Sequence, residues 1–356
     1  MIGRSILMKP GLQRLRCRRV IVAIAISTAL IRGIAVSQDQ TGVIEGSVAT
    51  NTPGNVGSLE ESTVAFHRLM NSDGDTPALK DDPGTFELPA IPPGRYDLIA
   101  DASFDGERYW SKLRVEVRDD DIKNAELHLN PVVELAGRVT FDGEMPRVRV
   151  LGSAVGGGQR AQPGDIKLSL NRRDSLPKFF DGRVIMNGNS FSILEVREGD
   201  YELSATIEGN GQPPGPSYYI ADIRSGGISV FGDVFHVGVD PQALEVIVAT
   251  EGASLQGKLL GSTSPLPAAV ILVPDFPRRG NASLYRVVYV PRNGEFKMNG
   301  VAPGTYKIFA VPYLNETVPY RSAEFIARHE SRAVSVVVRK DTNLQGMTVP
   351  YLALGR

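Results

Sequence analysis

Histidines, carboxylates, hydroxyls and exposed aromatics are where chemistry would have to come from in this chain. The four histidines, His67, His128, His236 and His329, are scattered with no paired spacing. A zinc site draws on clustered ligands, so the spacing predicts no metal centre. Asp119-Asp120-Asp121 and Asn71-Ser-Asp-Gly-Asp75 offer oxygens of the kind calcium takes. The second has its glycine in the wrong place for a calcium loop, and both read as solvated turns. No Gly-x-Ser-x-Gly elbow is present, and no Ser/His/Asp set is suggested by position. The expectation is a protein that is not an enzyme and carries no cofactor.

Aromatics are the remaining candidates. In Tyr109-Trp-Ser-Lys-Leu-Arg-Val-Glu-Val117 the odd positions Leu113, Val115 and Val117 face inward. Strand alternation then sets Trp110 on the outer face with Lys112 and Arg114. An outward Trp could stack on a sugar ring, which makes these three the candidate ligand contacts. The competing reading has Trp110 covering a seam between domains or a sheet edge, because a large apolar surface usually finds protein. In Phe179-Phe180 and in Tyr218-Tyr219 one ring of each pair is expected in the core.

The elements that would position these groups come from a stretch written three times. Gly84-Thr-Phe86 leads to Pro92-Pro-Gly-Arg-Tyr96, Asn189-Ser-Phe191 to Arg197-Glu-Gly-Asp-Tyr201, and Gly294-Glu-Phe296 to Ala302-Pro-Gly-Thr-Tyr306. Phe86, Phe191 and Phe296 align, as do Gly94, Gly199 and Gly304, and Tyr96, Tyr201 and Tyr306. Both steps are 105 residues, too long for a solenoid unit, so whole domains are repeated. Alternating residues on either side predict two strands. The Pro-Gly pair predicts a type II turn with its glycine at positive φ. A buried tyrosine hydroxyl needs a partner, and a backbone carbonyl at a sandwich corner would serve.

Each copy has an upstream strand with an internal glycine: Val43–Val48 with Gly46, Glu134–Val139 with Gly137, and Ser254–Leu259 with Gly257. A glycine inside a strand suggests a bulge or a close backbone approach. A second strand follows in each (Thr63–Phe66, Ile166–Leu170, Ala269–Val273), and a last one closes each domain (Ala125–Leu129, Leu244–Val248, Ala333–Val338). The spacing predicts an all-β chain of three tandem antiparallel sandwiches. The boundaries are 41–130, 132–250 with a Gly-rich insertion at 148–165, and 251–346, with a tail at 347–356. The linkers are nearly absent, which predicts a stiff array. Residues 322–330 carry the one short helix candidate.

Residues 1–37 read as a signal peptide. Arg4, Lys9, Arg14, Arg16, Arg18 and Arg19 precede an apolar run from Val20 to Leu30, and Ala35-Val-Ser37 sets cleavage before Gln38. The alternative is a retained anchor, but Arg32 leaves the run short for a span. Cys17, the only cysteine, lies before the apolar run, so the mature chain has no disulfide. Seven of the 39 basic residues leave with the leader, so 32 remain against 40 acidic ones and the balance is about −8. That charge disfavours nucleic acid and anionic membrane as partners. The expected location is secreted or periplasmic, with no membrane insertion of the mature chain.

Gly-x-Val, then an apolar strand, then Gly-x-Phe…Pro-Gly-x-Tyr-x-Leu-x-Ala resembles the carboxypeptidase regulatory-like domain. The match covers almost the whole mature chain, three times. Ala268-Ala-Val-Ile-Leu-Val-Pro274 and Tyr306-Lys-Ile-Phe-Ala310 make the third copy the best fit, and Arg197-Glu198 departs where the prolines are missing. The resemblance implies a transthyretin-like sandwich with collagen-adhesin B-type and starch-binding-like relatives, of the kind secreted by acidobacteria. It implies a non-catalytic module, binding or spacing at the cell envelope against an unknown protein or polysaccharide. The second reading it implies is a carbohydrate-binding protein of starch-binding-like type. Pro319-Tyr-Arg-Ser322 is only faintly similar to a tetrapeptide of transthyretin-related hydrolases and is taken as chance. Collagen-adhesin domains can carry a Lys–Asn crosslink, but only the third copy has a first-strand lysine, Lys258, so no general crosslink is implied.

Overall fold

The computed structural model describes residues 21–26, 42–50, 85–104, 107–118, 120–144, 148–152, 161–162, 164–174, 176, 181–208, 217–260, 268–290, 293–312 and 320–352. The expected strand Thr63–Phe66, the Asn71–Asp75 turn, Cys17, the cleavage site at 37–38, Phe179-Phe180 and the glycines 156–158 lie outside these residues. Among the described residues the chain is strand throughout, apart from one short α-helix and brief 3-10 turns. No described helix is long and apolar enough to cross a membrane. The chain falls into two compact units, Met1–Val132 and Val133–Arg356.

The first unit holds β1 (Ile21–Ile26), β2 (Gly42–Thr50), β3 (Thr85–Ile91), β4 (Gly94–Phe104), β5 (Glu107–Val117) and β6 (Ile122–Pro131), in the order β1-β4-β5-β6-β2-β3. β5 joins β6 through Tyr109 and Trp110, which face Pro131 and Asn130. The two halves close over Ile44, Phe86, Leu88, Leu98, Leu127 and Leu129.

The second unit begins with β7 (Val133–Asp142), β8 (Val150–Leu151), β9 (Ile166–Arg172), β10 (Arg183–Asn187), β11 (Ser190–Val196), β12 (Gly199–Ile207), β13 (Tyr219–Ser225), β14 (Ile228–Ser229), β15 (Phe235–Val237) and β16 (Leu244–Ala249). They form the sheets β10-β11-β7-β16-β13-β14 and β15-β12-β9-β8 around one core. β17 (Ala253–Leu260), β18 (Ala268–Pro274), β19 (Arg286–Val290), β20 (Glu295–Val301), β21 (Gly304–Pro312), α1 (Ala323–His329), β22 (Val334–Val338) and β23 (Asn343–Pro350) follow. Their sheets are β20-β17-β23 and β19-β18-β21-β22. β18 is buried along its whole length. Its even positions Ala268, Val270 and Leu272 enter the sandwich core, and Ala269, Ile271 and Val273 enter a second cluster with Phe325 and Ile326 of α1. A strand buried on both faces reads as a continuous apolar run, as this one does.

Two expectations change. The sandwiches are mixed rather than purely antiparallel, because each first strand lies parallel to the strand that closes its domain: β2 with β6, β7 with β16, and β17 with β23. The strand that closes the third domain is not Ala333–Val338, and the domain does not end at 346 with a tail from 347. Val334–Val338 pairs with β21 in the opposite sheet, and residues 343–350 form the closing strand, burying Val349 completely.

The first-strand glycines are places of close approach. Gly46, Gly137 and Gly257 face Phe86, Phe191 and Phe296 across the antiparallel ladder. At Gly46 and Gly137 the partner phenylalanine ring occupies the space a side chain would take. At Gly257 an added methyl would meet the carbonyl oxygen of Met347 in the parallel neighbour. That atom belongs to a ladder and cannot step aside. Gly257→Ala is therefore expected to lower the unfolding free energy by about 3 kcal/mol. Gly238→Ala, which would meet nothing within 4 Å, should stay within about 0.5 kcal/mol. Urea melts of the two variants check this.

Candidate functional site

Among the described residues the thrice-repeated corner is the best-built polar arrangement. Tyr96, Tyr201 and Tyr306 are all buried. Each donates its hydroxyl proton to the carbonyl oxygen four residues back: Tyr96 to Pro92 at 2.6 Å, Tyr201 to Arg197 at 2.7 Å and Tyr306 to Ala302 at 2.8 Å. The strand on the hairpin side keeps one register in all three copies. Gly94, Gly199 and Gly304 face Val117, Val237 and Val338, and the tyrosines face Val115, Phe235 and Val336.

The turn glycine works differently from the type II expectation. Gly199 and Gly304 do take positive φ, 149° and 157°, well beyond the type II value of about 80°, and a left-handed residue lies four positions before each aligned glycine, at Ala90 (φ 60°), Glu195 (φ 61°) and Gly300 (φ 64°). There the pairing with the first strand shifts register in every copy, which is a bulge that bends the strand into the corner. The aligned glycines begin the next strand instead. The tyrosine ring two residues on lies close to Gly94 and Gly304, and at Gly199 the close neighbour is the Arg172 guanidinium instead. A Cβ at Gly94 would stand 3.3 Å from the Tyr96 ring, and one at Gly304 would stand 2.9 Å from Arg278 and 3.3 Å from Tyr306.

Two arginines complete the corners of the second unit. The side chain of Arg172 is 2% exposed. It donates to the Tyr201 hydroxyl at 2.6 Å, to the Glu198 carbonyl at 3.2 Å, and to both carboxylate oxygens of Asp174 at 3.0 and 2.7 Å. Burial pushes this guanidinium down, but Asp174 and Tyr201 outweigh it and the net direction is up. Arg286 donates to the carbonyls of Ser283, Tyr285 and Gly300 at 2.7, 2.9 and 3.0 Å. Burial pushes it down to about 10, so it stays charged at neutral pH. Burial likewise raises Tyr201 and Tyr306 above 10.0. The sequence signal for both arginines was their phase: Arg172 ends an inward series from Ile166, and Arg286 starts one with Val288 and Val290.

The candidate ligand face is not assembled. Trp110 is 3% exposed, although it is out of phase with Tyr109, Leu113, Val115 and Val117, which pack in the sandwich core; it lies on β5 between Asp101 of β4 and Asn130 of β6. Arg114 is engaged in a two-point ion pair with Asp97, at 2.8 and 3.2 Å. Lys112 is half-buried. Nor do the described histidines converge. His128 lies near Glu126, His236 bonds Asp200 at 2.9 Å, and His329 is buried, bonded to the Phe325 carbonyl and stacked on Phe309. Among the described residues no group of three His, Cys, Asp or Glu could hold a metal. Asp121 accepts the Val43 amide, Ser322 caps α1, and Lys258 pairs with Glu295 at 3.0 Å.

No family model and no curated protein matches the sequence. Solved structures with some likeness include a streptococcal ancillary pilin at 14% identity, covering 75% of this chain and 78% of its own, with a TM-score of 0.21. The major pilin subunit BcpA of Bacillus cereus is 9% identical over 87% and 98%, with a TM-score of 0.19. The T-13 major pilin of Streptococcus pyogenes is 8% identical over 62% and 96%, with a TM-score of 0.17. At such scores the likeness carries no argument about this chain.

Two measurements follow from the geometry. Tyr306→Phe removes one hydrogen bond and leaves the Ala302 carbonyl without its donor, at a cost of about 1–2 kcal/mol. Tyr201→Phe should cost more in the same denaturation assay, since Arg172 also loses an acceptor. The second concerns Asp165. Burial raises its carboxyl, but Arg149 and the Gln162 amide together hold it below 3.8. A depressed acid stabilises above its unfolded pKa and loses that contribution as pH falls through the folded one. Asp165→Asn should therefore melt below the wild type at pH 6, with the gap closing below about pH 4.

Proposed function

We propose that this chain is a non-catalytic structural protein: tandem transthyretin-like sandwiches, with boundaries near 131 and 250, exported across the cytoplasmic membrane and acting at the envelope as a spacer that carries a binding surface. One observation carries the reading. The residues that recur through all three copies are spent on folding. Phenylalanine covers a glycine, and tyrosine closes its own turn. A catalytic chain repeats a reactive constellation or guards a single one; this chain repeats a way of turning a corner. The leader composition and the mature charge of about −8 support export over nucleic-acid binding.

The carbohydrate-binding reading leaned on an outward Trp110, and its burial removes that support. Fractionation of producing cells and N-terminal sequencing test the main reading. A protein beginning at Gln38 in the extracytoplasmic fraction is expected, and an intact N-terminus in the cytoplasm would overturn it. Titration of the purified chain with a glycan panel should leave the single-tryptophan emission unchanged.

A further inference from the structure

Each corner-tyrosine strand pairs with a strand that follows it in the chain: β4 with β5, β12 with β15 and β21 with β22. The three partners differ in how they present their outer edge. An unpaired edge is a template for another strand, and proteins blunt it with charge, brevity or proline. β5 carries Lys112, Arg114 and Glu116 in alternation and passes into pairing with β6 at Tyr109 and Trp110. β15 is three residues long, and its outward residue, His236, is bonded to Asp200. β22, the last strand of its sheet, has none of these devices. Val334-Ser-Val-Val-Val338 is five residues with no charge and no proline.

This strand is apolar on both faces. Val336 and Val338 enter the core, and Val334, in the same phase, is 39% exposed. On the other face Val337 is 63% exposed, beside Ser335, whose hydroxyl accepts from the Lys307 ammonium at 2.7 Å. Among the described residues only β21 pairs with β22, so a row of alternating backbone N–H and C=O groups faces outward. Along this stretch of chain, charge stands only beyond the two ends of the strand. Arg332 and Arg339 are exposed and form no ion pair among the described residues. Lys340, next to Arg339, is taken by Glu251 at 3.3 Å, and Glu330 is taken by Arg279.

The two arginines decide the occupant. A second copy fits badly: in the central two-fold pairing of β22 with β22, Arg332 of one copy faces Arg339 of the other at both ends of the ladder. A segment with carboxylates at those ends reverses the sign of both contacts. We propose that the edge of β22 captures an extended segment of a partner protein, about five apolar or β-branched residues with Asp or Glu at each end, as an added strand of the sheet β19-β18-β21-β22. Backbone pairing supplies the affinity. Val334 and Val337 give the added strand an apolar neighbour on each face, and the arginines fix its ends. This names the binding surface of the proposed spacer and rests on that reading for its role.

Fluorescence anisotropy of a labelled peptide, Asp-Glu-Val-Thr-Val-Thr-Val-Glu-Asp, titrated with the purified full chain tests it. Saturable binding is expected, and the same peptide N-methylated at each valine and threonine should not bind. Val337→Lys puts a charge on the edge and should weaken binding about tenfold. Arg332→Glu with Arg339→Glu should weaken it about fivefold, and should bind more tightly the same peptide carrying Lys in place of each acid. That reversal is a gain a misfolded variant does not produce, so it decides the matter should Val337→Lys unfold. Absence of saturable binding overturns the proposal, as does equal binding of the N-methylated peptide or an unchanged preference in the double variant. A dimer of the chain that Val337→Lys disperses overturns the partner in favour of a second copy. A chain found intact in the cytoplasm overturns the spacer reading and leaves strand capture standing, since that is measured on purified protein.

Discussion

The hydrogen bond from each corner tyrosine to the carbonyl four residues back is the interaction on which the architecture depends. A sandwich must pass its chain from one sheet to the other, and the crossing exposes backbone groups next to an apolar core. A buried carbonyl without a donor costs about 1–3 kcal/mol. The tyrosine supplies that donor from a ring that also fills the end of the core, so one side chain meets both needs. Its position then dictates others. The ring crowds the aligned glycine in the first and third copies and Arg172 crowds it in the second, and the bulge four residues before that glycine aims the chain into the corner. The next strand begins in a register that all three copies share.

The phenylalanine and glycine pair is the counterpart at the other end of the unit. Phe86, Phe191 and Phe296 each face a glycine across the ladder. In the first two copies the ring fills the space that glycine leaves open. An aromatic over a glycine restores the apolar cover that the glycine lacks. In the first and third copies the glycine is needed for a further reason, since a carbonyl of the parallel neighbour, that of Ala125 or Met347, lies in the same space. The mixed sheet explains that crowding: where β17 runs between an antiparallel and a parallel partner, both sides of the glycine are occupied by backbone.

Much of this was legible in the sequence because it depends on residue types with few substitutes. Inward Phe and Tyr, the first-strand glycine and the short helix at 323–329 could all be read from spacing. The left-handed bulge could not. Two of its three residues are Ala90 and Glu195, which have no preference for positive φ, and tertiary pairing holds them there. β23 was missed because Asn343–Pro350 alternates weakly, with only Val349 fully buried; its partner β17 lies some ninety residues away. Trp110 has the phase that alternation gives it, opposite the core-facing Tyr109, Leu113, Val115 and Val117, yet it is buried; alternation tells which face a residue is on and not whether that face is covered. The two arginines carried opposed signals: charge argues for the surface, whereas strand phase puts both inside.

Those arginines show how the same corner accommodates different solutions. Burying a guanidinium costs several kcal/mol unless it is paired and bonded. Arg172 meets the cost with a carboxylate, Asp174, held at two points, and its protonated form is favoured. Arg286 has three backbone carbonyls and, among the described residues, no carboxylate; burial prevails and its charged form is disfavoured. The two come from different strands, one before the phenylalanine hairpin on β9 and one on β19. Descent from a common repeat does not by itself place a cation there. What recurs is a buried arginine beside the corner: Arg172 donates to the Glu198 carbonyl of the turn, and Arg286 to Gly300 at the bulge as well as to Ser283 and Tyr285 next to it in the chain, with five N–H groups to place in each case. That the second and third sandwiches supply it from different positions argues that the corner, and not any ligand, has shaped these charges.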